Sequence, residues 1–180
     1  MQTASHRTKT MIYISLFAVL IAVCAWISIP AAVPFTMQTF GVFAATGILG
    51  GKKGTAAICI YLLLGAIGLP VFSGGTSGPG ILFGSTGGYM LGWILAGLVA
   101  WAAESVFVRS VRTAALSMIL GLAGCYALGT AWFMAVYAQG SGPVGLWSAV
   151  SMCVVPFIIP DLLKIALALM IRKRLIRFIQ

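Results

Sequence analysis

The chain has 180 residues, of which 61% are hydrophobic and 7% are charged. A soluble domain of ordinary composition carries about 25% charged residues, so this composition excludes a soluble globular enzyme and an intrinsically disordered chain. An all-α integral membrane protein remains, and at about 20 residues per span the length allows about six transmembrane helices.

Six apolar segments follow one another along the chain. We interpret them as spans of a single membrane domain covering residues 1–180, at roughly 11–29, 35–51, 54–69, 83–108, 114–138 and 147–172. The first follows basic residues, as a signal peptide would, but it is too long for a typical signal sequence. In the last segment, Pro156 and Pro160 indicate that the regular helix starts only near Pro160, because proline fits a first helical turn.

The positive charges alternate with these spans in a way that predicts the topology. The net charge is +9. If there are six spans, ten of the eleven basic residues lie on one side of the membrane, namely Arg7, Lys9, Lys52, Lys53, Arg109, Arg112, Arg172, Lys173, Arg174 and Arg177. The positive-inside rule then puts both termini in the cytoplasm. The charge therefore indicates topology and some affinity for anionic lipid, not a nucleic-acid partner.

Small residues recur at every fourth position of the fourth span, namely Gly84, Gly88, Gly92, Ala96 and Ala100. Such a stripe favours close helix packing, either within the monomer or against another protein. Ala18 and Ala22 in the first span are the best candidates for a partner surface.

Glu104 is expected to form an interfacial ion pair with Arg109. The four cysteines have no C-x-x-C spacing, so we interpret them as apolar packing residues rather than a zinc site or disulfides.

Asp161 and Lys164 are the only acid–base pair in the last apolar segment. They are three residues apart, so they share one face of a helix. Charges at membrane depth are costly unless paired or hydrated, and they suggest function. We expect Lys164 to meet a ligand carboxylate and Asp161 to accept N–H hydrogen bonds. The 11 residues from Asp161 to Arg172 span about 16 Å, which puts the site in the outer half of the membrane. A purely structural salt bridge is the alternative.

Two further segments reach the same outer face. One is an uncharged polar cluster at the start of the second span, and the other is the glycine-rich stretch 70–80, followed by the start of the fourth span. Glycines let a loop approach a ligand closely or move as a lid, although a plain extracellular linker is the alternative. The candidate ligand residues in these segments are Thr36, Gln38, Thr39, Gly74, Gly75, Ser77, Thr86 and Tyr89.

Enzymatic chemistry finds no support in the sequence. The only histidine, His6, precedes the first span, so catalytic Ser–His and metal–His arrangements are missing. Residues 47–54 resemble a phosphate-binding loop only loosely and lack its G-x-x-x-x-G-K-[ST] spacing. We therefore predict no catalytic residues, no metal and no cofactor, and any ATP hydrolysis would need a partner.

Four motifs together resemble the BioY family, the biotin-binding substrate (S) components of energy-coupling factor (ECF) transporters. They are Pro34-Phe-Thr-Met-Gln-Thr39, Gly68-Leu-Pro-Val-Phe-Ser-Gly-Gly75, Gly84-Ser-Thr-Gly-Gly-Tyr89 and Pro160-Asp-Leu-Leu-Lys164. The resemblance implies a six-helix S-component fold in a prokaryotic plasma membrane, with an outer site capped by the loops after spans one and three, and biotin as ligand. It also implies two cytosolic ATPase subunits and a coupling protein, EcfT, which faces an A-x-x-x-A motif matched by Ala18 and Ala22.

The hypothesis is therefore a high-affinity biotin-binding membrane subunit that mediates biotin uptake with an ATP-hydrolysing ECF module. Biotin carries a ureido ring with N–H donors, an apolar bicyclic body and a carboxylate on an aliphatic tail, and Asp161 and Lys164 offer complementary groups. An S component for another carboxylated vitamin, a structural membrane subunit held by the Asp161–Lys164 pair, and a channel remain as alternatives.

Overall fold

The chain folds into eight helices and one small hairpin within the described residues. A computed structural model describes residues 2–29 and 34–179, so Pro30 of the predicted first loop lies outside the described residues. The helices are α1 (Gln2–Trp26), α2 (Gln38–Leu49), α3 (Gly51–Ala66), α4 (Pro79–Phe83), α5 (Gly87–Val106), α6 (Val111–Ser141), α7 (Leu146–Cys153) and α8 (Val155–Ile179). Strands β1 (Ser28–Ile29) and β2 (Phe35–Thr36) pair antiparallel, and Ser73–Gly75 forms a 3₁₀ turn.

Three of these helices are long and apolar enough to cross a membrane by themselves. They are α1, α5 and α6, and α7 with α8 makes a fourth crossing if the two are one span bent by 41°. Helices α2 and α3 have 12 and 16 residues, or about 18 and 24 Å, which is less than the roughly 30 Å hydrocarbon core. The predicted count of six spans and the cytoplasmic termini therefore remain predictions.

Several helix boundaries differ from the predicted segments. Helix α8 begins at Val155 and contains Pro160, so the expected start near Pro160 is wrong. The physical reason is that Pro156 occupies the first turn, where no backbone N–H is needed. Helix α1 begins before Arg7, and the predicted span 83–108 is divided, because α4 ends at Phe83 and α5 begins at Gly87.

The hydrophobic core surrounds α2. Ten of its twelve residues are buried, and it packs against α1, α3, α5 and α8. Core side chains from its neighbours include Ile21, Ile58 and Tyr61. The outer face of α1, by contrast, exposes Leu16 and Val19. Apolar side chains on both the inside and the outside of the bundle are expected for helices surrounded by lipid.

The small-residue stripe packs within the monomer. A side chain added at Gly92 would lie 2.7 Å from Cys125 Sγ on α6, and one added at Gly121 would lie 2.9 Å from Ala96. Tyr89 lies directly over Gly129 in the same way. The stripe therefore brings α5 and α6 into close contact, so the first of the two alternatives, packing within the monomer, holds at these positions.

Basic residues gather at one end of the bundle. Arg109 Nε lies 3.2 Å from Glu104 Oε1, which confirms the predicted ion pair. The other Glu104 oxygen accepts a 2.8 Å hydrogen bond from Gly51 N at the start of α3. Gly50, between α2 and α3, has φ +90°, and a side chain there would collide with both partners of the ion pair. Arg172 is buried beside them and donates from Nε to Gly47 O at 2.8 Å.

The loops of the predicted site lie at the opposite end. Trp26, the last residue of α1, donates its indole N–H to Pro70 O at 3.1 Å. This contact ties the end of α1 to the start of the glycine-rich stretch. The fold thus separates a basic end from an end that carries the candidate ligand residues.

Candidate ligand-binding site

Two adjoining cavities open at the loop end. The outer cavity has a volume of about 270 Å³ and is lined by Pro34, Thr36, Gln38, Phe72, Ser73, Thr76, Ile81, Thr86, Tyr89, Met90 and Trp93. The inner cavity, of about 60 Å³, is lined by Pro34, Thr36, Thr39, Tyr89, Trp93, Leu122, Cys125, Tyr126, Cys153, Phe157, Asp161 and Lys164. Because they share four lining residues, they form one path from the loops to the charged pair.

The charged pair lies at the inner end of this path. Lys164 Nζ is 2.7 Å from Asp161 Oδ1, and both side chains are almost fully buried. The two residues stand one turn apart on α8, so the helix presents them side by side. Buried charges of opposite sign neutralise each other at this distance, and the pair as a whole carries no net charge.

Neighbouring elements hold both charges in place. Thr39 donates its hydroxyl to Asp161 Oδ1 at 2.9 Å and accepts a hydrogen bond from Lys164 Nζ at 2.9 Å. Lys164 also donates to the backbone oxygen of Thr36 at 2.7 Å, and Tyr126 on α6 donates its hydroxyl to Asp161 Oδ2 at 2.8 Å. The pair therefore connects α8 with the hairpin, with α2 and with α6.

An aromatic ring lies over the ammonium group. Lys164 Nζ lies 4.6 Å from the centroid of the Phe35 ring, within the range of a cation–π interaction. Phe35 in turn stacks on Phe157 of α8, with ring centroids 6.0 Å apart. Lys164 and Phe35 also line a shallow groove on the outside of α8, of about 240 Å³. Lys164 lines both this groove and the inner cavity.

A second polar network leads from the hairpin towards the glycine-rich loop. Gln38 Nε2 donates to the hydroxyl of Tyr61 on α3, and Thr36 Oγ1 is 3.4 Å from Gln38 Oε1. The fully buried ring of Phe72 packs edge-on against Tyr61, with centroids 5.7 Å apart. A side chain at Gly65 would lie 2.0 Å from the Phe72 ring, so only glycine leaves room for that ring there.

Helix α5 supplies the opposite wall. Thr86 precedes its first turn, and Tyr89 lines both cavities while its hydroxyl lies 3.1 Å from Thr130 Oγ1 on α6. Trp93 is one turn further along and lines both cavities as well. These residues give the path a mainly apolar wall with a few hydroxyl groups.

The structure brings most of the predicted ligand residues together. Thr36, Gln38, Thr39, Thr86, Tyr89, Asp161 and Lys164 all line one or both cavities. Three predicted residues, Gly74, Gly75 and Ser77, are not among the residues that line them. Gly74 and Gly75, with φ +68° and +73°, are exposed, and Ser73 and Thr76 are the residues of this loop that line the outer cavity.

Sequence reasoning missed several aromatic lining residues. Trp93 lies one helical turn after Tyr89, a spacing that places both on one face of α5. Tyr126 sits inside an apolar helix, where a buried hydroxyl needs a hydrogen-bond partner, and Asp161 is that partner. Cys125 and Cys153, interpreted as packing residues, are buried free thiols that also line the inner cavity.

The expected partner surface needs correction at one residue. Ala18 is 2% exposed and belongs to the core, so it packs inside the chain and is not presented to a partner. The reason is that α1 turns this residue towards the other core helices. Ala22 is half-buried at the edge of the same cluster, and its role in an interface remains a prediction.

Among residues 2–29 and 34–179, no group of three metal-ligating His, Cys, Asp or Glu side chains occurs.

Comparison with known proteins identifies the family. The BioY family model matches residues 1–180. The chain belongs to the BioY family. It is 39% identical over 168 residues to "Biotin transporter BioY" of Thermotoga maritima, covering 93% of this chain and 95% of that protein. It is 34% identical to "Biotin transporter BioY2" of Lactococcus lactis, over 95% and 92% of the two chains.

The fold agrees with the family. A crystal structure of the S-component for biotin from an ECF-type ABC transporter superposes with a TM-score of 0.82 at 27% identity, covering 95% of this chain and 92% of that one. This BioY protein therefore has the S-component fold and is a multi-pass protein of the plasma membrane. Its relatives are named as transporters, in line with the expectation that the chain is not an enzyme.

Proposed function

We propose that this chain is the biotin-binding S component of an ECF transporter and that it mediates biotin uptake. The names of the relatives and the S-component fold support biotin as the ligand. The observation that carries the proposal is the cavity path that ends on the buried Asp161–Lys164 pair. A vitamin-sized ligand with an apolar body and a polar head fits such a path, because binding sites are mostly apolar with a few fixed polar groups.

The charged pair fits the ureido ring of biotin better than its carboxylate. Among the described residues, Lys164 already donates to three acceptors and Asp161 Oδ2 accepts from Tyr126 alone, so this oxygen retains capacity for one N–H. A ureido group is neutral and places an N–H donor next to a carbonyl acceptor. A carboxylate beside Lys164 would bring a second negative charge next to Asp161. We therefore revise the expectation that Lys164 meets the carboxylate.

The rest of the ligand would then lie in the outer cavity. Phe72, Met90 and Trp93 provide apolar surface for the bicyclic body and the aliphatic tail. The carboxylate would reach the outer end, where Thr86 stands at the N-terminus of α5 and hydroxyl donors come from the loop. A negative group near a helix N-terminus is favoured by the helix dipole.

Titration calorimetry tests this assignment on the purified chain, prepared without biotin in the medium. We expect sub-micromolar biotin binding, with Asp161→Asn and Lys164→Met each weakening it by roughly 10²- to 10³-fold, since each leaves one buried charge unpaired. Glu104→Gln is the matched control, because it removes a charge from the ion pair at the basic end. Biotinamide lacks the carboxylate charge, and its affinity should be less than tenfold below that of biotin if the ureido ring faces the pair.

The outcomes separate the alternatives. Tight binding of biotinamide that is lost in both variants supports the ureido orientation. If affinity instead depends strongly on the carboxylate, the carboxylate and not the ureido ring lies beside Lys164. A folded, ligand-free chain that binds no biotin would refute the proposal. Binding of another carboxylated vitamin in its place would indicate a different S component. Variants that unfold while the native chain binds no vitamin would indicate a purely structural pair.

We also propose that the chain works with EcfT and two cytosolic ATPase subunits, since its sequence has no ATPase motif. Ala22 is the retained candidate contact on α1. Ala22→Leu should reduce co-purification with EcfT, while Leu120→Trp, a change at an exposed position of α6, should not. Equal co-purification of both variants would exclude Ala22 from the interface.

A further inference from the structure

A groove lies along α8 at the basic end, and it shares no lining residue with the two ligand cavities. It has a volume of about 600 Å³ and is lined by Leu167, Met170, Ile171, Lys173 and Arg174. Residues three and four apart lie on one face of a helix, so the five form a continuous stripe. Its three apolar side chains lie towards the middle of the span, and its two cationic side chains lie at the end.

The two cations of this stripe are exposed, unlike the arginine that precedes them. Arg172, directly before them, is 3% exposed and turns inward to bond Gly47 O, whereas Lys173 and Arg174 are exposed. The chain has two acidic side chains, and both are engaged elsewhere: Glu104 pairs with Arg109, and Asp161 pairs with Lys164. The groove therefore combines an apolar wall with positive charge that no acidic side chain of the chain neutralises.

We propose that this groove is a binding site for one anionic phospholipid. The headgroup phosphate would lie between Lys173 and Arg174, and an acyl chain would lie along Leu167, Met170 and Ile171. Guanidinium and ammonium groups form strong charge-assisted hydrogen bonds with phosphate oxygens. A zwitterionic lipid carries its own cation, which reduces its attraction to basic residues, so the site selects phosphatidylglycerol over phosphatidylcholine. The apolar wall distinguishes a lipid from free phosphate.

Native mass spectrometry of the detergent-solubilised full chain, titrated with each lipid, measures this selectivity. We expect one phosphatidylglycerol to bind at least tenfold more tightly than phosphatidylcholine. Juxtamembrane basic residues contribute about fivefold each to anionic-lipid attraction, so Lys173→Gln with Arg174→Gln should weaken phosphatidylglycerol binding by roughly thirtyfold. Lys53→Gln with Arg112→Gln removes the same charge from two exposed positions outside the groove and should change the affinity less than threefold.

Each outcome decides the proposal. Equal losses in the two double variants would mean that overall charge, and not the groove, attracts the lipid, and the proposal would fail. It would also fail if millimolar inorganic phosphate displaced the lipid, because the site would then bind free phosphate. If the groove double variant does not fold, the single variants Lys173→Gln and Arg174→Gln answer the same question, with severalfold losses expected. Biotin titration of each folded variant should give wild-type affinity, so this test is independent of the proposed transport function.

Discussion

Thr39 is the hydroxyl that links the two buried charges, and its removal is the sharpest test of how the site is organised. Thr39→Val keeps the shape of the side chain but removes one hydrogen bond to Asp161 Oδ1 and one from Lys164 Nζ, both of 2.9 Å. A hydrogen bond to a charged group contributes about 1.5–3 kcal/mol. Lys164 and Asp161 keep their other partners, so we use the low end of this range for each of the two bonds. The expected loss of stabilisation is then about 3 kcal/mol in total.

The loss should be visible both in the stability of the ligand-free chain and in its affinity for biotin. The free energy of unfolding of the ligand-free chain should fall, because the pair connects α8 to α2. Biotin affinity, measured by calorimetry, should fall at least tenfold, because the carboxylate and the ammonium lose a fixed orientation. Thr39→Ser is the control, since it keeps the hydroxyl and removes one methyl group, with a cost of about 0.8 kcal/mol or less.

The reasoning would be refuted in either of two ways. Wild-type stability and affinity in Thr39→Val would mean that the hydroxyl does not organise the pair. Equal damage in Thr39→Ser and Thr39→Val would mean that packing of the methyl group, and not hydrogen bonding, is what matters at this position.

Three further predictions concern the surroundings of the site. Phe35→Leu should weaken biotin binding about threefold to thirtyfold, because it removes the ring over Lys164. Phe35→Tyr keeps a ring there and should bind biotin as the wild type does in the same titration. Equal affinities of the two variants would exclude a contribution of the cation–π contact. Gly65→Ala should expel the Phe72 ring and accelerate biotin dissociation in a radiolabel chase, and an unchanged rate would show that this ring does not hold the loop closed. Glu104→Gln should lower the thermal stability and leave the biotin Kd within twofold, since its ion pair lies at the other end; a large change in Kd would contradict that separation.

The membrane class, the helical fold and the position of the charged pair could be predicted from the sequence because each depends on a local signal. Asp161 and Lys164 stand out as charges in an apolar segment, and their spacing alone places them on one face of a helix. Glu104 and Arg109 could be paired for the same reason. The motif resemblance added the family, which the comparisons confirmed.

One error was a choice between two local signals, because Pro156 and Pro160 both suit a first helical turn and α8 begins with the earlier one. The remaining errors involve long-range packing. The inward direction of Ala18 depends on how α1 packs against the buried α2. The same holds for Tyr126, which reaches Asp161 only because α6 and α8 lie side by side.

The anchored ring of Phe72 has a consequence for how often the loop end can open. Withdrawing a fully buried phenyl ring into water costs about 1.5–3 kcal/mol, which corresponds to an open population of roughly 1–7%. If only open molecules accept ligand, the apparent association rate is the intrinsic rate multiplied by that open fraction. The closed loop would equally slow escape, so a chain built in this way would exchange its ligand slowly in both directions.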